Sequence, residues 1–265
     1  MNKRKVILLS FDVEEFDMPL EYGQLMSIDD QLNKGYEGLV NIKQLLSFTN
    51  VPATLFTTAN FANHFPGIIR DLSINHEIAS HTFYHSFFKL AHLVESRTCL
   101  ENITGKKITG LRMPRMKVLP ARDIIDAGYS YDASINPIWL PGRYNNLGLS
   151  RKVFEEDSIM RIPASVSTFL RIPLFWLSFK NLSYSLYLKL VMRSLQAHGY
   201  VSLYFHPWEF TDLTKYKIPF YAKNPSGEIL LKRLELLIRD LKAQAEFKTM
   251  NVFPLPRIGT SFKDD

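Results

Sequence analysis

Two histidines stand four residues apart in HEIASHTFYHS, the stretch that covers residues 76–86. In a helix or helical turn, side chains at i and i+4 lie on one face, so the imidazoles of His81 and His85 could hold one cation between them. The spacing alone is a weak signal, because two packed or exposed histidines produce the same pattern. His76, at the far end of this stretch, fits a structural role better.

Two carboxylates, Asp12 and Glu14, follow the first apolar run of the chain. Beside a divalent cation, two carboxylates can have different roles. One can complete a His/His/carboxylate ligand set, and the other can accept a proton from water. A solvated acidic loop is the alternative, because Glu15 and Asp17 come next.

Arg112, in GLRMP, ends another apolar run. A guanidinium there would hold a catalytic carboxylate ionised and oriented, whereas Arg115 fits a surface position equally well. Asp132 and Ser134, in YDASINP, are candidates to contact a substrate hydroxyl or orient a histidine. Capping of a turn is their alternative role.

His206 stands in LYFHPWEF, where an apolar run leads to it and a proline follows. An imidazole in that position could donate a proton to a leaving group, or it could simply stack on Trp208 in the core. Trp208 and Glu209 are candidates for lining a substrate groove, since Trp is a common platform for a sugar ring.

Apolar runs rich in β-forming residues alternate with helical patterns along the chain. The predicted strands cover residues 6–11, 53–58, 77–80, 109–113, 129–134, 160–164 and 200–205. The predicted helices cover residues 36–48, 65–72, 87–103, 121–127, 182–197 and 226–248. An alternation repeated about seven times predicts a parallel α/β architecture. No linker interrupts it, so we predict one domain over residues 1–265.

The polar candidates come directly after predicted strands. In an α/β barrel the carboxyl ends of all strands open on one face, where active sites are built, so we expect these residues to converge. The long segment 15–35 is predicted to be a loop over that face.

Composition indicates a globular protein with a full core, because 46% of the 265 residues are hydrophobic. The net charge of +6 is spread along the chain and does not by itself identify a partner. Cys99 is the single cysteine, which excludes an intramolecular disulfide. No uncharged apolar run reaches about 18 residues, so we predict no transmembrane helix and expect a cytoplasmic location. The apolar stretch 169–192 is interpreted as core plus helix, with an interfacial membrane contact as the alternative.

Taken together, the motifs resemble the polysaccharide deacetylase family, the NodB-homology carbohydrate esterases of family 4. The resemblance runs from Lys5 to Phe210 through the motifs SFDVEEFD, VPATLFTTANFANHFPG, HEIASHTFYH, GLRMP and LYFHPWE. It is strongest to the branch that carries Asp-Val-Glu and His-Pro-Trp-Glu, found among deacetylases of exopolysaccharide biosynthesis.

The resemblance implies a distorted (β/α) barrel of about seven parallel strands, related to the TIM barrel, that carries out metal-dependent amide hydrolysis. It implies that His81 and His85 bind the metal. It also implies catalytic roles for Asp12 as general base, Arg112 as its partner and His206 as general acid.

One position departs from the family pattern. The second acid of the first motif, the usual third ligand, is replaced by Val13, which cannot bind metal. Glu14 is then the candidate ligand, one residue later and one methylene longer. Zn²⁺ is the expected ion, with Co²⁺, Ni²⁺ and Mn²⁺ as alternatives.

The expected reaction is removal of an N-acetyl or similar acyl group from an amino sugar in a glycan or glycan precursor. Expected partners are an N-acetylated saccharide or a lipid- or nucleotide-linked sugar, and not nucleic acid; peripheral membrane contact stays open. The alternatives are hydrolysis of cyclic amides or imides on the same fold, as in allantoinases, and a catalytically silent glycan-binding barrel.

Overall fold

The computed structural model describes residues 4–140 and 144–253, which form a mainly parallel, curled sheet with helices packed on its outer side. The strands are β1 (Val6–Val13), β2 (Thr54–Thr57), β3 (Glu77–Ser80), β4 (Gly110–Leu111), β5 (Tyr131–Asp132), β6 (Trp139–Leu140), β7 (Tyr144–Asn145), β8 (Phe154–Glu156), β9 (Ile159–Arg161), β10 (Tyr200–Phe205) and β11 (Glu246–Phe247). The helices are α1 (Met18–Glu21), α2 (Ile28–Thr49), α3 (Ala59–His64), α4 (Pro66–Leu72), α5 (His92–Thr104), α6 (Ala121–Asp126), α7 (Trp176–Asn181), α8 (Tyr184–His198), α9 (Phe220–Lys223) and α10 (Gly227–Lys242).

The main sheet has the strand order β10-β1-β2-β3-β4-β5-β9-β8. All neighbours from β10 to β9 are parallel, and β8 closes that end as an antiparallel partner of β9. Two strands pair with the same edge of β1. Strand β11 lies beside Val6 and Ile7, and β2 lies beside residues 10–13. The architecture is therefore a curled half-barrel, which confirms the predicted α/β fold class.

Strand β1 shows how this fold orients the side chains proposed for catalysis and metal binding. Successive side chains of a strand point to opposite faces of the sheet. On β1 the odd-numbered residues pack in the cluster shared with the helices: Ile7, Leu9, Phe11 and Val13. Val6 and Leu8 belong instead to the cluster inside the curl of the sheet. Asp12 therefore faces the inside of the sheet, and Val13 faces the helices.

Helix α2 differs from the sequence-based prediction. It begins at Ile28 rather than residue 36, where the Ser27 hydroxyl accepts a hydrogen bond from the Asp30 N–H at 3.0 Å. Much of the predicted 15–35 loop is therefore helical, and α1 occupies another part of it. The glycines Gly35 and Gly38 allow α2 to approach the segments that carry Glu14 and Pro207, because a Cβ at either position would overlap their backbone.

The predicted helix 226–248 is wrong at its C-terminal end. It stops at Lys242, and the chain then forms β11. The N–H of Glu246 donates to the carbonyl of Lys5 at 2.9 Å, and that of Lys248 donates to Ile7 at 3.0 Å. Residues 246–248 therefore pair with the free edge of β1, although their local sequence pattern is typical of a helix.

The hairpin β6–β7 and helix α7 were not predicted, and β4 and β5 each contain only two residues. None of the helices in the described part of the chain is both long and apolar enough to span a membrane.

Candidate functional site

A cavity opens where β1, β3 and β10 end, and its lining is divided in character. Its polar residues are Asp12, Glu14, Asp17, Glu21, His81, His85, Arg115, Asn136 and His206. Its largely apolar remainder is Met18, Met116, Ile138, Leu140, Phe175, Trp176, Leu177, Tyr204 and Trp208. Residues far apart in the sequence therefore converge at the carboxyl ends of the strands.

Glu14, His81 and His85 form a compact group of potential metal ligands, with one donor atom from each lying within 4.8 Å of the others. The Nε2 atoms of His81 and His85 lie 3.1 Å and 3.2 Å from Oε2 of Glu14. Ligand bonds of about 2.0–2.2 Å around a tetrahedral cation place donor atoms about 3.3 Å apart. The separations of both imidazoles from Glu14 therefore match those expected around one cation of the size of zinc.

The hydrogen bonds of His81 support the same conclusion. Its Nδ1 lies 2.8 Å from the carbonyl oxygen of Arg112, which can only accept, so Nδ1 carries a hydrogen. A neutral His81 then directs the lone pair of Nε2 at Oε2 of Glu14, which is also an acceptor. Two acceptors can face each other at this distance only with a proton or a cation between them.

His85 has the same arrangement. Its Nδ1 lies 2.8 Å from Oδ2 of Asp17, and its Nε2 faces Glu14. Burial opposes protonation of His85, but the negative charges of Glu14 and Asp17 outweigh burial and raise the pKa of His85 to about 9. Without a cation, protons would fill the gap between these groups. The donor set therefore fits a divalent metal.

Burial alone would raise the pKa of the Glu14 carboxyl. The imidazoles of His85 and His206 reverse this effect and hold that pKa well below its usual value. The other oxygen of Glu14, Oε1, accepts a hydrogen bond from the indole Nε1 of Trp208 at 3.2 Å. Glu14 is therefore an ionised, oriented carboxylate with Oε2 directed at the two imidazoles.

The two histidines do not lie on a helical turn, so that part of the sequence interpretation is wrong. They belong to an irregular segment after β3, in which Thr82 adopts a left-handed conformation with φ of 62°. Backbone bonds fix this segment, because the His81 N–H donates to Thr57 and the Ala59 N–H donates to Thr82. The imidazole rings nevertheless stack, with centroids 5.8 Å apart.

Asp12 is paired with Arg112 inside the sheet. Nη1 of Arg112 lies 2.5 Å from Oδ1 of Asp12, and Nη2 donates to the hydroxyl of Ser10 at 3.1 Å. The guanidinium is fully buried and lies 4.0 Å from the ring centre of Phe56. This pairing fixes Asp12 and leaves its Oδ2 directed toward the cavity, 4.0 Å from Nε2 of His206.

His206 is held by the turn that follows it. Oε1 of Glu209 accepts from the backbone N–H of His206 at 2.8 Å and lies 3.0 Å from its Nδ1. The ring stacks on Trp208 at a centroid distance of 4.9 Å, and the residue still lines the cavity, so the stacking does not remove His206 from the site. Burial lowers the pKa of His206, but Glu14 and Glu209 outweigh burial and raise it.

Glu209 does not line the cavity, which corrects its expected contact with substrate. Its carboxylate is fully buried, and Oε2 lies 3.5 Å from Nζ of Lys180, which is buried as well. Lys180 also donates to the carbonyl of Ala222 at 2.6 Å. Glu209 therefore lies behind His206, with Lys180 as its counter-ion.

Asp132 and Ser134 are also absent from the cavity lining, so the expectation that they contact substrate is corrected. Both are fully buried. Nη1 of Arg161 lies 2.7 Å from Oδ2 of Asp132, the Ser134 hydroxyl donates to Asp132, and that hydroxyl accepts from the Met113 N–H at 2.8 Å. These groups brace the ends of β4, β5 and β9, next to Arg112.

Asp17 and Arg115 were not among the predicted site residues, although both line the cavity. Nη2 of Arg115 lies 3.2 Å from Oδ2 of Asp17 and 3.0 Å from Oε1 of Glu21. Asp17 and Glu15 are 5% and 3% exposed, which contradicts the solvated acidic loop. The signal in the sequence was the density of acids after β1, but it did not show which acid contacts which histidine.

Residues 2–127 match the sequence profile of the polysaccharide deacetylase family. This match confirms, at the level of the family, the resemblance drawn from the motifs. A search among curated proteins found no significant match.

Solved structures show the same fold. A Mycobacterium smegmatis protein provisionally named a polysaccharide deacetylase superposes with a TM-score of 0.64 at 18% identity, over 95% of this chain and 90% of the other. Puue allantoinase gives 0.61 at 17% identity, over 95% and 90%. A family 4 carbohydrate esterase pseudoenzyme from Bacillus anthracis gives 0.53 at 13%, over 95% and 66%. Because proteins of different activity share this fold, the fold alone does not decide the function.

Proposed function

We propose that this chain, whose residues 2–127 belong to the polysaccharide deacetylase family, is a hydrolase that removes an N-acetyl or similar acyl group from an amino sugar. The observation that carries the proposal is the clustering of Glu14, His81 and His85 beside two further groups suited to proton transfer, Asp12 and His206. A ligand set, a proton acceptor and a proton donor around one cavity are the parts that amide hydrolysis requires.

The first three side chains would hold the metal. A divalent cation bound by Glu14, His81 and His85, most simply zinc, would polarise the acetamide carbonyl and make water more acidic. Trp208 and Asp17 orient these ligands, through Oε1 of Glu14 and Nδ1 of His85.

Proton transfer would be divided between Asp12 and His206, whose facing atoms Oδ2 and Nε2 lie 4.0 Å apart. Asp12, held by Arg112, accepts a proton from the attacking water as the new carbon–oxygen bond forms. His206 donates the proton on Nε2 to the nitrogen as the carbon–nitrogen bond breaks, because an amide anion is too basic to leave. The products are acetate and the free amine.

The division of the cavity lining suggests how a substrate would lie. The acetamide group would face the carboxylates and imidazoles, and the other part of the molecule would contact the wall made by Ile138, Leu140, Phe175, Trp176 and Leu177. Such a wall suits a saccharide with an apolar attachment, so we propose a lipid-linked precursor ahead of a nucleotide-linked sugar.

A second candidate is hydrolysis of cyclic amides, which is favoured by the likeness to an allantoinase fold at a TM-score of 0.61. It would use the same ligands and the same proton acceptor. The two reactions differ in product, since ring opening releases no acetate.

The test is acetate release from N-acetylated saccharides by protein loaded with Zn²⁺, alongside an assay of allantoin ring opening. We expect acetate release, and a loss of about a hundredfold or more in Asp12→Asn. Asp71→Asn, at an exposed residue paired with Lys43, is the control and should retain full activity. Ring opening without acetate release would favour the second candidate. If neither product formed with any divalent metal added, a catalytically inactive glycan-binding protein would be favoured.

A further inference from the structure

An exposed apolar patch lies next to the apolar wall of the cavity. The patch consists of Trp139, Leu147, Phe169 and Leu170, which are 61%, 45%, 92% and 74% exposed. Phe169 and Leu170 lie at the tip of a turn closed by the bridge between Val166 and Pro173. Side chains of this size rarely cluster in contact with water unless another surface covers them.

Hydrogen bonds hold the segments that carry the patch together. Nη1 of Arg171 lies 3.1 Å from the carbonyl oxygens of both Pro137 and Leu149. Nη1 of Arg151 donates to the carbonyl of Thr168 at 2.8 Å. The patch is therefore presented on a fixed base rather than on independent loops, and two guanidinium groups lie in that base.

The patch is continuous in the chain with the cavity. Trp139 is flanked by Ile138 and Leu140, both of which line the cavity, and the 167–172 turn leads directly to the lining residue Phe175. A surface that covered the patch would therefore lie at the mouth of the site.

We propose that the patch inserts into the interface of an anionic phospholipid bilayer and so brings the site to a substrate anchored there. Exposed aromatic and aliphatic side chains with arginines beneath them are typical of surfaces that bind such an interface. The apolar side chains enter the acyl-chain region, and the cations lie near the phosphates. The net charge of +6 favours the same partner over a neutral surface. The link to a lipid-anchored substrate rests on the proposed deacetylase function, whereas the docking itself does not.

The experiment is co-sedimentation of the full chain with vesicles of phosphatidylcholine and phosphatidylglycerol in equal parts, compared with phosphatidylcholine alone. We expect binding to the anionic vesicles that weakens as salt is raised. The double variant Phe169→Ser, Leu170→Ser should bind at least about tenfold more weakly. Phe48→Ser, which removes another strongly exposed aromatic (77%) near the end of α2, should bind like the wild type.

The proposal would be overturned if the wild type did not bind anionic vesicles, or if the double variant bound them equally well. It would also be overturned if the wild type self-associated without binding vesicles and the double variant were monomeric, since the patch would then be a contact between copies of the chain. Acetate release from a soluble N-acetylated saccharide separates this proposal from the preceding one. It should be unchanged in the double variant, because neither residue lines the cavity. Vesicle binding without acetate release would retain the docking surface and reject the deacetylase.

Discussion

Glu209 binds His206 at two points, since one carboxylate oxygen accepts from the backbone N–H at 2.8 Å and lies 3.0 Å from Nδ1 of the ring. The two residues belong to one short turn, in which Pro207 follows the histidine and ends β10. The orientation of the imidazole is thus set by a residue three positions later. Lys180, 3.5 Å from the second oxygen of Glu209, compensates the buried charge.

We expect Glu209→Gln to lower kcat by about tenfold to a hundredfold, because a neutral glutamine no longer stabilises the imidazolium of His206. KM should change little, because residue 209 lies outside the cavity. The carboxylate raises the pKa of His206, so its removal lowers that pKa, and the donor loses its proton at a lower pH. The alkaline limb of the kcat profile should therefore move toward lower pH. An unchanged profile would show that Glu209 has only a structural role.

The apparent affinity for metal should rise with pH. The metal-free protein retains a proton on His85, whose pKa is raised to about 9, and binding must release it. We expect affinity to increase by up to about tenfold per pH unit below that value. Titration calorimetry in buffers of different ionisation enthalpy counts the protons released.

Asp17→Asn provides the comparison for the metal titration. It removes one of the charges that raise the pKa of His85, so affinity should depend less on pH over the same range. In the metal-free protein, the raised pKa of His85 contributes stability that is present below 6.5 and is lost as pH rises through about 9. Affinity independent of pH would contradict this account of the ligands.

Arg112→Met should destabilise the fold by about 3–5 kcal/mol, because it leaves the carboxylate of Asp12 buried without its partner. Asp12→Asn leaves the buried guanidinium of Arg112 without its counter-ion and should be destabilising as well, and both variants should lose activity. Urea unfolding measures the difference. Arg122→Met breaks a solvent-exposed pair with Asp126 and should change stability by less than about 1 kcal/mol. A loss of less than about 1 kcal/mol in either buried variant would argue against a charge pair at this site.

Gly38→Ala should reduce both stability and activity. A methyl group there overlaps the carbonyl of Pro207 and the N–H of Trp208, so either α2 or the turn after His206 must move. We expect a loss of about 1–3 kcal/mol in thermal unfolding. Gly67→Ala is the matched control, because a Cβ at that helical position meets open space and should be neutral or stabilising by up to about 1 kcal/mol. Equal unfolding temperatures for the two variants would contradict this packing.

Several features of the fold follow from local pattern and were predictable. The strands Glu77–Ser80 and Tyr200–Phe205 have the bounds predicted from their apolar runs. The start of α2 was predicted at residue 36 rather than at Ile28, because the segments that pack against Gly35 and Gly38 are distant in the sequence. Strand β11 was missed for a related reason, since it forms only where the edge of β1 is available.

The sequence by itself determined that Asp12, Glu14, His81, His85 and His206 enter the site, although not that Asp17 and Arg115 join them. Alternation along β1 places Asp12 on the inner face of the sheet and Val13 on the outer face, and residues that follow parallel strands meet at one edge. Only the tertiary structure decided how these groups are paired. Glu209 rather than Asp132 contacts His206, and Asp17 contacts His85 across 68 positions of the chain. The physical reason is that hydrogen-bond partners and burial depend on distant segments packed together, which no local pattern of residues encodes.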